Sequence, residues 1–177
     1  MRAIGFGVTI PTSDSPRITA ITLDAADETS EFSLDTISVV ACDRIASAKA
    51  PNWGVNLADL AKRCASLCET YRPNVAVVRR ADPPGRQGAN RRGGTYLALL
   101  TCGAVAGSVG QVVSADQTLV YTGTECAEIY FKFVGGRSEK PKAAQEAIAG
   151  TIRHPKDQVA ALCAALSGLA TIAAKRT

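Results

Sequence analysis

Six arginines fall within 21 residues of this 177-residue chain: Arg72, Arg79, Arg80, Arg86, Arg91 and Arg92, with Asp82 the one acid among them. That stretch carries more positive charge than the whole chain nets, since the total is only +4 and the remainder is close to neutral. A guanidinium presents a planar fork of donors that matches a phosphate, so the cluster is an electrostatic footprint for phosphates. The expected contacts are Arg79, Arg80, Arg86, Arg91 and Arg92, and DNA or RNA is the partner they imply. The bland alternative is a solvated loop or a dock for an acidic protein. Tyr96 is the one aromatic nearby, so stacking on bases is not suggested.

Other residues could support catalysis. His154, the sole histidine, stands three residues before Asp157 at the start of an apolar-periodic segment. These two are the candidate catalytic residues, with Asp24, Asp43, Glu125 and Glu128 as further carboxylates. The competing reading makes His154 an exposed neighbour of Pro155, and Asp157 a first-turn charge that favours the helix dipole. Cys64 and Cys68, four apart, could supply two metal ligands. A zinc site needs a second pair at similar spacing, and none exists. The six cysteines therefore read as structural thiols without disulfides, and no resident metal or cofactor is expected. Gly5-Phe6-Gly7 is an isolated G-x-G inside a strand, which close packing explains as well, and no phosphate-binding glycine motif accompanies it.

The elements that must position these residues follow from hydropathy patterning. With 46% hydrophobic but only 5% aromatic residues, the core must come from Val, Ile, Leu and Ala, which suits sheets covered by Ala-rich helices. Residues 2–10 and 17–24 read as strands, with a third clearest over 36–41; short turns between them suggest an antiparallel meander. Asn56 is a plausible N-cap for an amphipathic helix ending before Pro73. Residues 74–78 (NVAVV) form a continuous apolar strand of the kind buried on both faces. Residues 79–94, with two prolines and four glycines, read as a mobile loop, and a helix runs from about 95 to 109. Residues 111–114 and 118–121 are strand or loop pieces, and 125–133 is ambiguous between strand and helix. A basic turn (135–142), a short helix (142–149) and a last helix (158–175) with Leu162, Leu166 and Leu169 inward complete the chain. One domain over 1–177 is expected, cytoplasmic, with a homodimer as one assembly open to it. The apolar region 97–113 is interrupted by small and polar residues and is not read as a membrane span.

This order of elements resembles the ribonuclease H-like fold: an α/β mixed sheet, a three-strand antiparallel meander plus parallel strands, flanked by helices. Within it the layout is similar to the RuvC-like branch, the Holliday-junction resolvases and their relatives. The resemblance implies a first strand ending in Asp, and a Glu ending the fourth strand in a pattern like V-V-A-I-E-R. It also implies two further acidic or His positions opening the last helix, as in D-A-A-D-A-L-A-I-A. Such carboxylates bind two divalent cations that activate water and steady the leaving oxygen. Here Gly5, Phe6 and Gly7 stand where the first Asp is expected, Arg79 replaces the Glu, and Ala160 replaces the second helix acid; only Asp157 survives. The expectation is a catalytically inactive RuvC-like domain that binds nucleic acid or serves as an assembly subunit. One alternative is an active, Mg-dependent nuclease with rearranged carboxylates. The other is a protein-interaction domain.

Overall fold

The computed structural model describes residues 1–10, 16–26, 36–47, 52–80, 89–133 and 156–175, with the side chains of 89–93, 130–133 and 156–157 left out of the description. Strands β1 (Arg2–Thr9), β2 (Arg17–Ala25) and β3 (Ile37–Ala46) form the expected antiparallel meander. Helix α1 (Trp53–Tyr71) leads to β4 (Val75–Arg79), which pairs parallel with β1. Helix α2 (Ala89–Val113), a short 3-10 turn (Ala115–Gln117) and β5 (Thr118–Tyr121) follow, with β5 parallel to β4. Helices α3 (Gly123–Phe133) and α4 (Lys156–Ala174) complete the described chain, and the sheet order is β3-β2-β1-β4-β5. This is a ribonuclease H-like α/β fold of RuvC-like layout, with β4 beside β1 as its apolar run predicts.

Strand alternation divides the core in two. Ala3, Ile21, Leu23, Val75 and Val77 face α4, against Ala161, Leu162, Ala165, Leu166 and Leu169. Ile4, Phe6, Ile18, Ala76 and Val78 face α1 and α2, against Leu60, Cys64, Cys102, Val105 and Val109. The scarcity of aromatics shows in this core, where among the described residues Phe6 is the one fully buried ring.

Several boundaries differ from expectation. The N-cap of α1 is Asn52, whose side-chain oxygen accepts from the Gly54 N–H at 2.8 Å; Asn56 lies inside the helix and is buried. β3 runs on to Ala46 through Asp43 and the exposed Arg44, polar residues that an edge strand tolerates. The loop expected over 79–94 gives way to helix at Ala89, so Arg91 and Arg92 stand in the first turns of α2. No proline follows Pro84 until Pro141, and Gly93-Gly94 lowers helix propensity without forbidding helix. Residues 111–113 end α2 instead of starting a strand. Its segment Gly94–Val113 is long and apolar enough to cross a membrane by length and composition, yet Cys102, Val105 and Val109 on its inner side are packed into the core.

The ambiguity over 125–133 resolves as helix for a local reason. The Glu125 N–H donates to Thr122 Oγ1 at 3.1 Å, and the Thr122 N–H donates to Glu125 Oε2 at 2.6 Å. That reciprocal pair is a capping box, legible as T-x-x-E. It also holds the Glu125 carboxyl below its usual range, through the Thr122 backbone and hydroxyl bonds first and nearby Arg80 last. The basic turn and short helix expected over 135–149, together with Arg86 and His154, lie outside the described residues.

Candidate functional site

The register places one cross-strand row near the carboxyl ends of β1 and β4. Gly7 pairs with Thr19 and with Arg79, Thr19 pairs with Arg44, and Arg79 pairs with Tyr121. One step further out, Thr9 pairs with Arg17, which pairs with Ala46. All of these share parity with Ala3, Ile21 and Val77, so they point to the α4 side of the sheet. Three arginines, Arg17, Arg44 and Arg79, therefore stand on one face of the sheet, at the end where open α/β sheets bind ligands. Arg17 and Arg44 are exposed and Arg79 is half-buried. No counting of neighbours along the chain could find Arg17 and Arg44, which join Arg79 only through cross-strand register.

Helix α4 crosses this face unusually low. A Cβ built on Gly5 would lie 2.2 Å from both the Ala161 carbonyl oxygen and the Ala165 amide nitrogen. Even one methyl group has no room there, so helix backbone and strand backbone are in contact. Ala161, Ala165 and Gly168 recur at helical spacing and permit the approach; Gly168 meets Val75, Val77 and Ala3 in the same way. Gly5 is thus explained by packing, and Ala160 is buried in the same helix.

Arg79 has a seat of its own. A Cβ on Gly123 would lie 2.5 Å from Arg79 Nη2, 3.0 Å from Nε and 3.1 Å from Cζ. The guanidinium therefore lies against bare backbone at the start of α3. Its strand position is secured from the opposite face, where Cys102 Sγ donates to the Arg79 carbonyl at 3.5 Å. Beside it lie Cys126 on α3 and Cys163 on α4. Burial pushes the Cys126 thiol up to about 11 and raises Cys163 as well, while the Arg79 charge pulls both back. Among the described residues Arg79 makes no ion pair with a carboxylate.

The expected site residues divide accordingly. Arg79 and Gly7 are brought side by side. Arg80 is exposed just past β4, its N–H donating to the Tyr121 carbonyl at 2.7 Å. Arg91 and Arg92 lie in α2 and Asp157 in the first turn of α4, without described side chains, while Arg86 and His154 fall outside the described residues. A divalent cation needs several oxygen ligands. Glycine, arginine and alanine at three of the four implied carboxylate positions do not supply them, and among the described residues no cluster of three or more His, Cys, Asp or Glu could hold a metal.

No protein-family model and no curated protein sequence matches the chain. Solved structures do. The structure of Thermus thermophilus RuvC superposes with a TM-score of 0.69 at 12% identity, covering 99% of this chain and 97% of that one. The same protein in complex with Holliday junction substrate gives 0.65 at 11% identity, covering 97% and 94%. The yeast mitochondrial Holliday junction resolvase Ydc2 gives 0.55 at 12% identity, covering 98% and 79%. At these identities the likeness is one of fold.

Proposed function

We propose that this chain is a RuvC-like domain that binds nucleic acid without cutting it. The observation that carries the reading is the row Arg44–Thr19–Gly7–Arg79. It puts a glycine and an arginine side by side where the resemblance implies two metal-binding carboxylates. A cation in that row repels a divalent ion and attracts a phosphate. The Thermus thermophilus RuvC relative, captured with Holliday junction substrate, supports nucleic acid as the ligand class. Protein incubated with Mg²⁺ or Mn²⁺ should leave labelled four-way junctions, single-stranded DNA and RNA intact, yet bind them with strong salt dependence. Metal-dependent cleavage that disappears in Asp157→Asn overturns the reading in favour of a nuclease.

The reading extends to self-assembly. On the outer side of α2, Tyr96 (59% exposed), Leu100 (63%), Gly103 and Gly107 form one stripe at helical spacing, and a Cβ on either glycine would meet nothing. Bulk occupies one half of the stripe and bare backbone the other. An antiparallel second copy would place its Tyr96 and Leu100 over Gly107 and Gly103 of the first, the self-complementary contact a two-fold dimer requires.

A further inference from the structure

Resting on that nucleic-acid reading, we infer that Arg79 is a built-in cation that grips a single backbone phosphodiester in place of a divalent ion, with Arg17 and Arg44 extending the grip along the same face. Three observations carry this. Arg79 sits in register with Gly7 on the α4 side of the sheet, so the neighbouring position on β1 carries no side chain to cover it. The guanidinium packs against the backbone at Gly123, where a Cβ would have no room; a packed side chain has less freedom to lose on binding than one on a flexible loop. Arg17 and Arg44 then lie on the same face two and three strands across from β4 at most. At about 4.8 Å between strands the three backbone positions span roughly 14 Å. They lie outside the sequence cluster apart from Arg79 itself, so the grip belongs to the sheet and not to residues 81–88.

A metal-bridged phosphate is released by chelation, whereas a guanidinium–phosphate fork is indifferent to it. Fluorescence anisotropy with a labelled DNA four-way junction, a DNA duplex and an RNA duplex, at matched ionic strength in EDTA or Mg²⁺, reads this directly. The wild-type affinity should agree within about twofold between EDTA and Mg²⁺. Arg79→Gln should weaken DNA binding about tenfold and lower the slope of log affinity against log salt by about 0.9. Arg79→Lys should keep most of that slope while losing part of the affinity. Gly123→Ala keeps every charge but displaces the guanidinium, and should weaken binding several-fold with the fold intact by circular dichroism. Arg17→Ala with Arg44→Ala should remove up to about 1.8 further units of slope. Wild-type binding that persists with unchanged affinity and slope in Arg79→Gln and Gly123→Ala overturns the inference while leaving the nucleic-acid reading standing. Binding abolished by EDTA also overturns it. A wild-type protein that binds no probe even at low salt removes both.

Discussion

Arg2 ties together the sheet end opposite the arginine row. Its Nε and Nη2 fork onto Asp24 at 2.7 and 2.6 Å, and Nη1 donates to the Tyr71 carbonyl at 2.7 Å. The Arg2 hydrogen bonds hold the Asp24 carboxyl below its usual range, against a smaller opposing effect of burial. A depressed carboxylate contributes stability that is complete above the unfolded-state pKa and is lost as pH falls through the folded value. Both side chains are 35% exposed, so the contribution is modest and screened by salt. Urea midpoints measured from pH 7 down to about pH 3 should decline less steeply for Asp24→Asn than for wild type; parallel profiles would show that the pair is energetically silent. The thiols allow a second test at this scale. Burial pushes Cys68 up to about 12 and Cys126 up to about 11, and raises Cys64 and Cys163 too. Cys42 alone is exposed. Reaction with a disulfide reagent at pH 8 should show one fast thiol that disappears in Cys42→Ser, because only an accessible thiolate attacks. The structural reading of five cysteines was legible from their apolar neighbourhoods. Cys42 was not separable from them, because which face of an edge strand is covered depends on packing.

Among the elements, α4 shows how a short-range cue and a long-range contact differ in legibility. Leu162, Leu166 and Leu169 announced the inner face by their spacing, and they are buried. The alanine and glycine stripe that lets α4 touch β1 carries no hydrophobic signal stronger than ordinary helix composition. Close packing was a ready explanation for Gly5 in the sequence, but the helix it packs against was not legible there. The consequence is measurable. In Gly5→Ala the new methyl would sit 2.2 Å from two helix backbone atoms, and no side-chain rotation relieves that. Overpacking of this kind costs about 1–3 kcal/mol where neighbours can adjust, and backbone contacts leave less adjustment, so a loss of at least about 3 kcal/mol in urea unfolding is expected. A loss below about 1 kcal/mol would mean that α4 rides higher than described. The same contrast explains α3 and α2. The Thr122–Glu125 capping box was available in the sequence as a helix start, whereas the early start of α2 at Ala89 had to prevail over a glycine pair and an arginine-rich composition.

For the whole molecule, the inner place of β4 was legible because it is a continuous apolar run following a helix, of the kind buried on both faces, whereas β5 at the edge read only as a strand or loop piece. The row of arginines was half legible. Arg79 emerged as a substitution within a recognisable strand, while Arg17 and Arg44 required the register of β1 through β3. What local sequence conceals most fully is the outer side of α2, since a helix apolar all round gives no periodic hint of which side stays uncovered. The proposed two-fold pairing there yields opposing effects of one substitution. Gly103 lies mid-helix with open space around its Cα, so Gly103→Ala should stabilise an isolated chain by about 0.5–1 kcal/mol. In the pairing, that methyl lies beneath the partner's Leu100 and holds the helices apart. Gly103→Ala should therefore raise the unfolding midpoint at low protein concentration while shifting the dimer–monomer equilibrium toward monomer. Leu100→Glu should give monomer outright, by placing a charge in an apolar contact. Sedimentation equilibrium on the three proteins separates the outcomes. A wild-type monomer at all concentrations removes the pairing, and a dimer indifferent to both substitutions places its interface elsewhere.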